Sequence, residues 1–158
     1  MNPTPPIDKT AKGQNESLSL EFDLPHATEK VWRALTDPAL LAEWLLPVFD
    51  HRLEPGAAFT FKTQPQPGWD GIVNCRMLEI DAHRKIAWRW VVGDIDTVVT
   101  FTITPLSGEV AAVAGTAGTR LSIVQSGFKP DQKQAFGGAR YGWKMMGGQL
   151  VDLLARIP

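Results

Sequence analysis

The chain has 158 residues, 44% hydrophobic and 21% charged, which is enough for one domain with one packed core. Its 16 basic and 17 acidic side chains are scattered along the chain and leave a net charge of −1, which argues against a nucleic-acid partner. The single Cys75 cannot form an intrachain disulfide and no apolar run is long enough to span a bilayer, so we expect a cytoplasmic protein outside the membrane.

The first part of the chain, residues 1–15, is polar and contains three prolines. It lacks the apolar core of a signal peptide, so we predict a disordered lead. Residues 16–158 then form a single domain. Its first element is SLSLEFDL, from Ser17 to Leu24, where apolar residues at alternate positions predict a strand with one buried face.

The stretch VWRALTDPALLAEWL, from Val31 to Leu45, predicts two short helices joined at a bend. Thr28 can cap the first helix. Asp37 can cap the second helix, with Pro38 at its first position, where a missing N–H costs nothing. The two helices form a V whose predicted inward-facing side chains are Trp32, Leu35, Leu41 and Trp44.

The middle of the chain reads as a series of antiparallel strands. Two flank a turn at residues 54–57, two more (IVNCRMLEI and KIAWRWVV) flank the turn at 81–84, and TVVTFTITP and TRLSIVQSGF complete the set. The segment SGEVAAVAGTAG, which begins at Ser107, consists mostly of small residues and is poor in charge, which predicts an extended hairpin loop. The pattern predicts an α+β protein with a sheet of about six or seven strands.

The C-terminal segment ARYGWKMMGGQLVDLLARI follows a predicted polar turn, KPDQKQAFGG, and has apolar residues at helical spacing. A helix of about 18 residues there would be roughly 27 Å long, enough to cross the domain. Gly147 and Gly148 interrupt it, each at a cost of about 1 kcal/mol relative to alanine. Two explanations remain open: the glycines allow close packing against the sheet, or close approach of a ligand or partner.

Four stretches together carry a resemblance to a known family: VWRALTDPALLAEW, EIDAHRKIAWRW, GTRLSIVQSGF and GWKMMGGQLVDLL. In this order they resemble the helix-grip superfamily of START and birch-pollen-allergen proteins. The most similar branch is that of the homologues of the chaperone ATPase activator C-terminal domain. The resemblance implies a curved antiparallel sheet wrapped around the long helix, with a cavity between them.

Signatures of catalysis and metal binding are missing from the sequence. There is no nucleophile elbow, no zinc-binding H-E-x-x-H and no phosphate-binding loop ending in Gly-Lys-Ser/Thr. His26, His51 and His83 are isolated and lie near predicted turns, which favours surface histidines over metal ligands. We therefore predict no metal site, no catalytic residue and no cofactor.

A hydrophobic small molecule is the predicted partner, held in the cavity that the resemblance implies. Arg76 and Arg89 interrupt apolar strands and could orient it, although the solvent-facing arrangement is the favoured interpretation for both. Glu79 and Tyr141 are further candidate polar anchors. The candidate lining residues are the large apolar side chains Trp44, Phe61, Trp69, Met77, Trp88, Trp90, Phe101, Trp143 and Met146.

Two other functions remain open at this point. The first is a protein-interaction role, such as regulation of a chaperone ATPase, which the resemblance implies and which requires an exposed patch. The second is a cyclase, dehydratase or lyase activity of the kind that some helix-grip relatives represent, for which a carboxylate or tyrosine would have to face the cavity. The sequence specifies neither the ligand nor the oligomeric state.

Overall fold

A computed structural model describes residues 7–10, 16–106 and 118–158 of the chain. The helices are α1 (Thr28–Thr36), α2 (Pro38–Trp44) and α3 (Lys133–Arg156). The strands are β1 (Ile7–Asp8), β2 (Ser17–Leu24), β3 (Val48–Phe49), β4 (Ala58–Lys62), β5 (Ile72–Asp81), β6 (Lys85–Val92), β7 (Ile95–Leu106) and β8 (Gly118–Ser126). None of the helices in these ranges is long and apolar enough to cross a membrane.

The eight described strands form one antiparallel sheet in the order β1-β2-β8-β7-β6-β5-β4-β3, and α3 lies against its inner face. This architecture confirms the predicted α+β helix-grip fold. The strand count exceeds the prediction because Ile7–Asp8, within the predicted disordered lead, pairs with β2. The rest of that lead and the predicted hairpin loop at 107–117 lie outside the described residues.

The V of short helices forms as predicted. Asp37 Oδ1 accepts a hydrogen bond from Ala39 N at 2.9 Å, and Pro38 occupies the first position of α2. The two arms are joined by Trp44, whose Nε1 donates to the Ala34 carbonyl oxygen at 2.8 Å. The predicted cap of α1 is wrong: Ala27 is the N-cap residue and makes no side-chain bond, since Thr28 is already helical.

Helix α3 is longer than predicted. It has 24 residues, about 36 Å at 1.5 Å per residue, and includes much of the predicted polar turn. The added first turns carry Phe136, which is buried and packs edge-to-face on Phe128 with ring centroids 5.3 Å apart. This tertiary contact supports helix through Gly137 and Gly138, where local propensity opposes it.

The N-terminal strand is attached to α3 through one carboxylate. Asp8 Oδ2 accepts a hydrogen bond from Arg140 Nε at 2.6 Å and lies 3.1 Å from Lys144 Nζ, while Oδ1 accepts from Thr10 N. Burial of this carboxyl opposes its charge, but the hydrogen bonds from Thr10, Arg140 and Lys144 outweigh burial and hold the pKa of Asp8 well below its ordinary value.

Replacing this carboxylate with an amide, Asp8→Asn, is expected to lower the free energy of unfolding by about 1 kcal/mol at neutral pH. Because the pKa of Asp8 is lower in the folded chain than in the unfolded chain, at about 3.9, the contribution is present above that value and is lost as pH falls towards the folded pKa. Urea unfolding should show that the difference in free energy of unfolding between the parent chain and Asp8→Asn is smaller at pH 3 than at pH 7. Asp152→Asn, at an exposed position on α3, is the control, and a gap that widens in acid would contradict the assignment.

Candidate ligand cavity between the sheet and the C-terminal helix

The inner face of the sheet and α3 line an apolar cavity of about 380 Å³ that is partly open to solvent. A volume of this size falls within the usual range for small-molecule sites. The sheet contributes Val73, Trp90, Val92, Ile95 and Gln125. The helix contributes Ala135, Gly138, Ala139, Gly142, Trp143 and Met146, and the connecting segments contribute Leu46, Thr63, Trp69 and Phe128.

The cavity exists because α3 presents very small residues to the sheet along its first half. Ala135, Gly138, Ala139 and Gly142 line it, and a Cβ atom added at Gly138 would meet no atom within 4 Å. Further along its length, α3 lies closer to the sheet, because a Cβ at Gly147 would lie 2.3 Å from Phe22 Cζ. The packing explanation therefore holds for Gly147, and the unfilled space lies beside the first half of α3.

Three tryptophans form the walls. The rings of Trp90 on β6 and Trp143 on α3 lie 5.5 Å apart between centroids and are tilted by 56°. Trp69 comes from the β4–β5 connection, where its Nε1 donates to the Ile72 carbonyl oxygen at 3.0 Å. Gly71 permits this turn, because its φ is +81° and a Cβ there would lie 2.3 Å from the Thr63 carbonyl oxygen.

One buried amide supplies polarity within this apolar lining. Gln125 is 2% exposed; its Oε1 accepts from Trp143 Nε1 at 2.7 Å and its Nε2 donates to Thr97 Oγ1 at 2.8 Å. The Thr97 hydroxyl in turn donates to the Trp90 carbonyl oxygen at 2.8 Å. This chain of hydrogen bonds links the helix to β6, β7 and β8, and it holds the Trp143 ring and the backbone of Trp90 in position.

Gln125 is one of the lining residues that sequence reasoning missed. It continues the alternation of Leu121 and Ile123 on β8, so a polar side chain stands at an inward-facing position of a strand. That departure from the apolar pattern was the available signal, because a buried polar group requires partners. Its partners on β7 and α3 are 28 and 18 residues away along the chain and could not be identified from the pattern.

The predicted lining residues divide into two groups. Trp69, Trp90, Trp143 and Met146 line the cavity. The other five are fully buried in the core and do not border it: Trp44, Phe61, Met77, Trp88 and Phe101. The four aromatic rings among them contact one another instead, with the centroids of Trp88 and Phe101 4.9 Å apart, so aromatic packing fills the sheet-helix space on that side.

The predicted polar anchors all lie away from the cavity lining. Arg76 donates to the Gly56 carbonyl oxygen and Arg89 pairs with Asp96, both beside an open depression of about 360 Å³ on the outer face of the sheet. Glu79 pairs with Lys85 at 2.8 Å on the surface. Tyr141, on α3, is 70% exposed. Strand alternation and helix periodicity direct Arg76, Arg89 and Tyr141 to the surface. Glu79 has the parity of the buried Cys75 and Met77 and reaches the surface because the register of β5 shifts between Met77 and Glu79.

Ionisable groups within the described residues stay outside the cavity lining. Burial raises the pKa of the Cys75 thiol, which is therefore protonated at neutral pH. His51 is half-buried rather than a surface histidine, and burial lowers its pKa, so the ring is neutral at pH 7. His26 is similarly shifted downwards in pKa, first by burial and then by Lys30.

The sequence of residues 25–155 matches the profile of a family described as activator of Hsp90 ATPase homolog 1-like protein. The chain belongs to this family. The match covers α1 to α3 and thus every element that lines the cavity. Comparison with curated proteins gives no match.

Solved structures with the same fold include proteins from several different bacteria. Protein MLL2253 from Mesorhizobium loti is 33% identical, with 90% of this chain and 98% of that chain covered and a TM-score of 0.77. Protein CV1439 from Chromobacterium violaceum is 27% identical, with coverages of 90% and 99% and a TM-score of 0.68. CalU16 from Micromonospora echinospora is 19% identical, with coverages of 96% and 84% and a TM-score of 0.69, a likeness of fold alone.

Proposed function

We propose that this member of the Hsp90 ATPase activator homolog 1-like family binds an apolar small molecule in the cavity between the sheet and α3. The observation that carries the proposal is the cavity of about 380 Å³ walled by Trp69, Trp90 and Trp143. Binding would come mainly from burial of apolar surface, at about 25 cal/mol per Å² before the costs of association. The Gln125 amide is a buried polar group in the lining that could orient the ligand.

Filling the cavity tests this proposal. In Gly142→Leu the new side chain starts beside Met146 Cε, at 3.8 Å from the added Cβ, and extends into the space that a ligand would occupy. We expect binding of the neutral fluorescent probe N-phenyl-1-naphthylamine to weaken at least tenfold. Folding should be maintained, because leucine favours a helix over glycine by about 1 kcal/mol.

The matched control is Gly148→Leu, the same substitution on the same helix. Gly148 is exposed and a Cβ there would meet no atom within 4 Å, so probe affinity should equal that of the parent chain. Fluorescence titration and thermal unfolding with and without probe measure both properties. If the Gly142→Leu protein binds the probe as tightly as the parent chain, the cavity is not the binding site.

A protein partner is the second candidate, supported by the family description and by three exposed apolar side chains. Phe49, Leu53 and Leu78 are 45%, 46% and 41% exposed, and all three belong to the part of the chain that forms β3, β5 and the segment after β3. Addition of the chain to purified Hsp90 should then raise its ATPase rate, and Leu78→Asp should reduce this effect. An unchanged ATPase rate would remove this candidate.

A further inference from the structure

The Gln125 amide has a hydrogen-bonding capacity that the described residues do not use. An indole N–H can only donate, so the Gln125 oxygen must face Trp143, and this fixes the NH₂ group towards Thr97. The Thr97 hydroxyl donates to the Trp90 carbonyl oxygen, so its lone pair is free to accept from Gln125. One N–H of the amide is satisfied in this way, and the other has no protein partner within the described residues.

That free N–H belongs to a side chain that lines the cavity and is 2% exposed. A buried donor without a partner is unfavourable, and a ligand oxygen that accepts its hydrogen bond removes the penalty. A ligand of the same shape without that oxygen leaves the donor unpaired. The amide therefore favours ligands that carry an acceptor over hydrocarbons of equal size.

The cavity lining also disfavours charged ligands. The side chains that border the cavity from β5 to β8, from α3 and from the connecting segments include no Lys, Arg, His, Asp or Glu. A carboxylate or ammonium group inside would lose its hydration without gaining a counter-charge. The indole rings of Trp90 and Trp143 offer apolar faces on which a flat ring system can pack.

We infer that the ligand is an uncharged, flat aromatic molecule with a carbonyl-type oxygen that accepts a hydrogen bond from Gln125. This inference rests on the proposed function, because it concerns the same cavity. The inference excludes two kinds of molecule that an apolar cavity would otherwise accept. Hydrocarbons lack the hydrogen-bond acceptor. Fatty acids and aromatic carboxylates carry a charge that the lining cannot balance.

Three naphthalene derivatives of similar size test it by competition with N-phenyl-1-naphthylamine. They are 2-acetylnaphthalene, which has the acceptor, 2-isopropenylnaphthalene, its hydrocarbon isostere, and 2-naphthoate, which is charged at pH 7. The parent chain is expected to bind the ketone about tenfold more tightly than the isostere and about a hundredfold more tightly than the carboxylate. Equal affinity for ketone and isostere, or carboxylate affinity equal to that of the ketone, would overturn the inference.

Two variants test whether the Gln125 amide causes the preference for the ketone over its hydrocarbon isostere. Gln125→Met should abolish the preference for the ketone over its isostere. Thr97→Val removes one bond of the same network but keeps the amide on Trp143, so it should retain the preference and control for loss of stability. Should Gln125→Met fail to fold, the affinity ratios of the parent chain still decide. If the fluorescent probe and all three compounds fail to bind, the proposed function itself is wrong, whereas binding without selectivity rejects the ligand class alone.

Discussion

Replacing Trp88 with alanine is expected to lower the free energy of unfolding by about 3 to 5 kcal/mol. Trp88 is fully buried on β6, and its ring contacts those of Phe59, Phe61 and Phe101 at centroid distances of 5.7, 6.1 and 4.9 Å. Its Nε1 has no hydrogen-bond partner within the described residues, so the cost arises from lost packing and from the cavity left behind. Urea unfolding followed by circular dichroism measures it.

Trp69→Ala provides the comparison, because Trp69 is half-buried and lines the ligand cavity. Its truncation should cost less than about 2 kcal/mol of stability and should weaken probe binding, whereas Trp88→Ala should leave binding nearly unchanged under conditions where it remains folded. The two substitutions thus separate core packing from ligand binding. A Trp88→Ala protein that loses probe affinity more than stability would show that the cavity extends to Trp88.

Substitution of Gly147 by alanine is expected to destabilise the chain by about 1 to 3 kcal/mol, although alanine is the better helix former. The added Cβ would lie 2.3 to 2.8 Å from three ring atoms of Phe22, and that ring is 2% exposed. Because the ring is held by the core, the contact can be relieved only if α3 moves away from β2. Chemical denaturation of the purified variant gives the size of the effect.

Gly148→Ala, one residue further along, is the matched substitution with the opposite expected sign. Gly148 is exposed and an added Cβ would meet open space, so the variant should gain up to about 1 kcal/mol from helix propensity. The two variants differ only in which side of α3 carries the methyl group. Equal stabilisation by both would mean that α3 does not approach β2 as closely as the structure describes.

Local patterns in the sequence predicted the strands and the two short helices, whereas the helix-grip arrangement came mainly from the family resemblance. Alternation in SLSLEFDL places Leu18, Leu20, Phe22 and Leu24 on one face, and all four are buried. Asp37-Pro38 starts α2 because both effects, a side-chain cap and a tolerated proline, act within three residues. The start of α3 was harder to predict, because a contact between Phe128 and Phe136 outweighs the local effect of Gly137 and Gly138.

The position of the cavity could not be predicted in the same way. Strand periodicity places Trp88 and Trp90 on one face of β6. Trp88 nevertheless belongs to the filled core, while Trp90 borders the cavity. Trp88 packs among the rings of Phe59, Phe61 and Phe101. Trp90 also contacts aromatic rings, but it borders the space left beside the small residues of α3. The alternating pattern of a strand predicts which face of the sheet a side chain occupies. It does not predict how far that face lies from the helix packed against it.

By itself, the sequence determined the fold class, the V of short helices and the inward faces of the main strands, because each depends on residues close together in the chain. Tertiary structure alone decided which tryptophans line the cavity, that Gly147 contacts Phe22, and that Gln125 joins Trp143 to Thr97. These features depend on the separation between α3 and the sheet. That separation is set by side-chain volumes on both surfaces at once, through contacts between residues far apart in the chain.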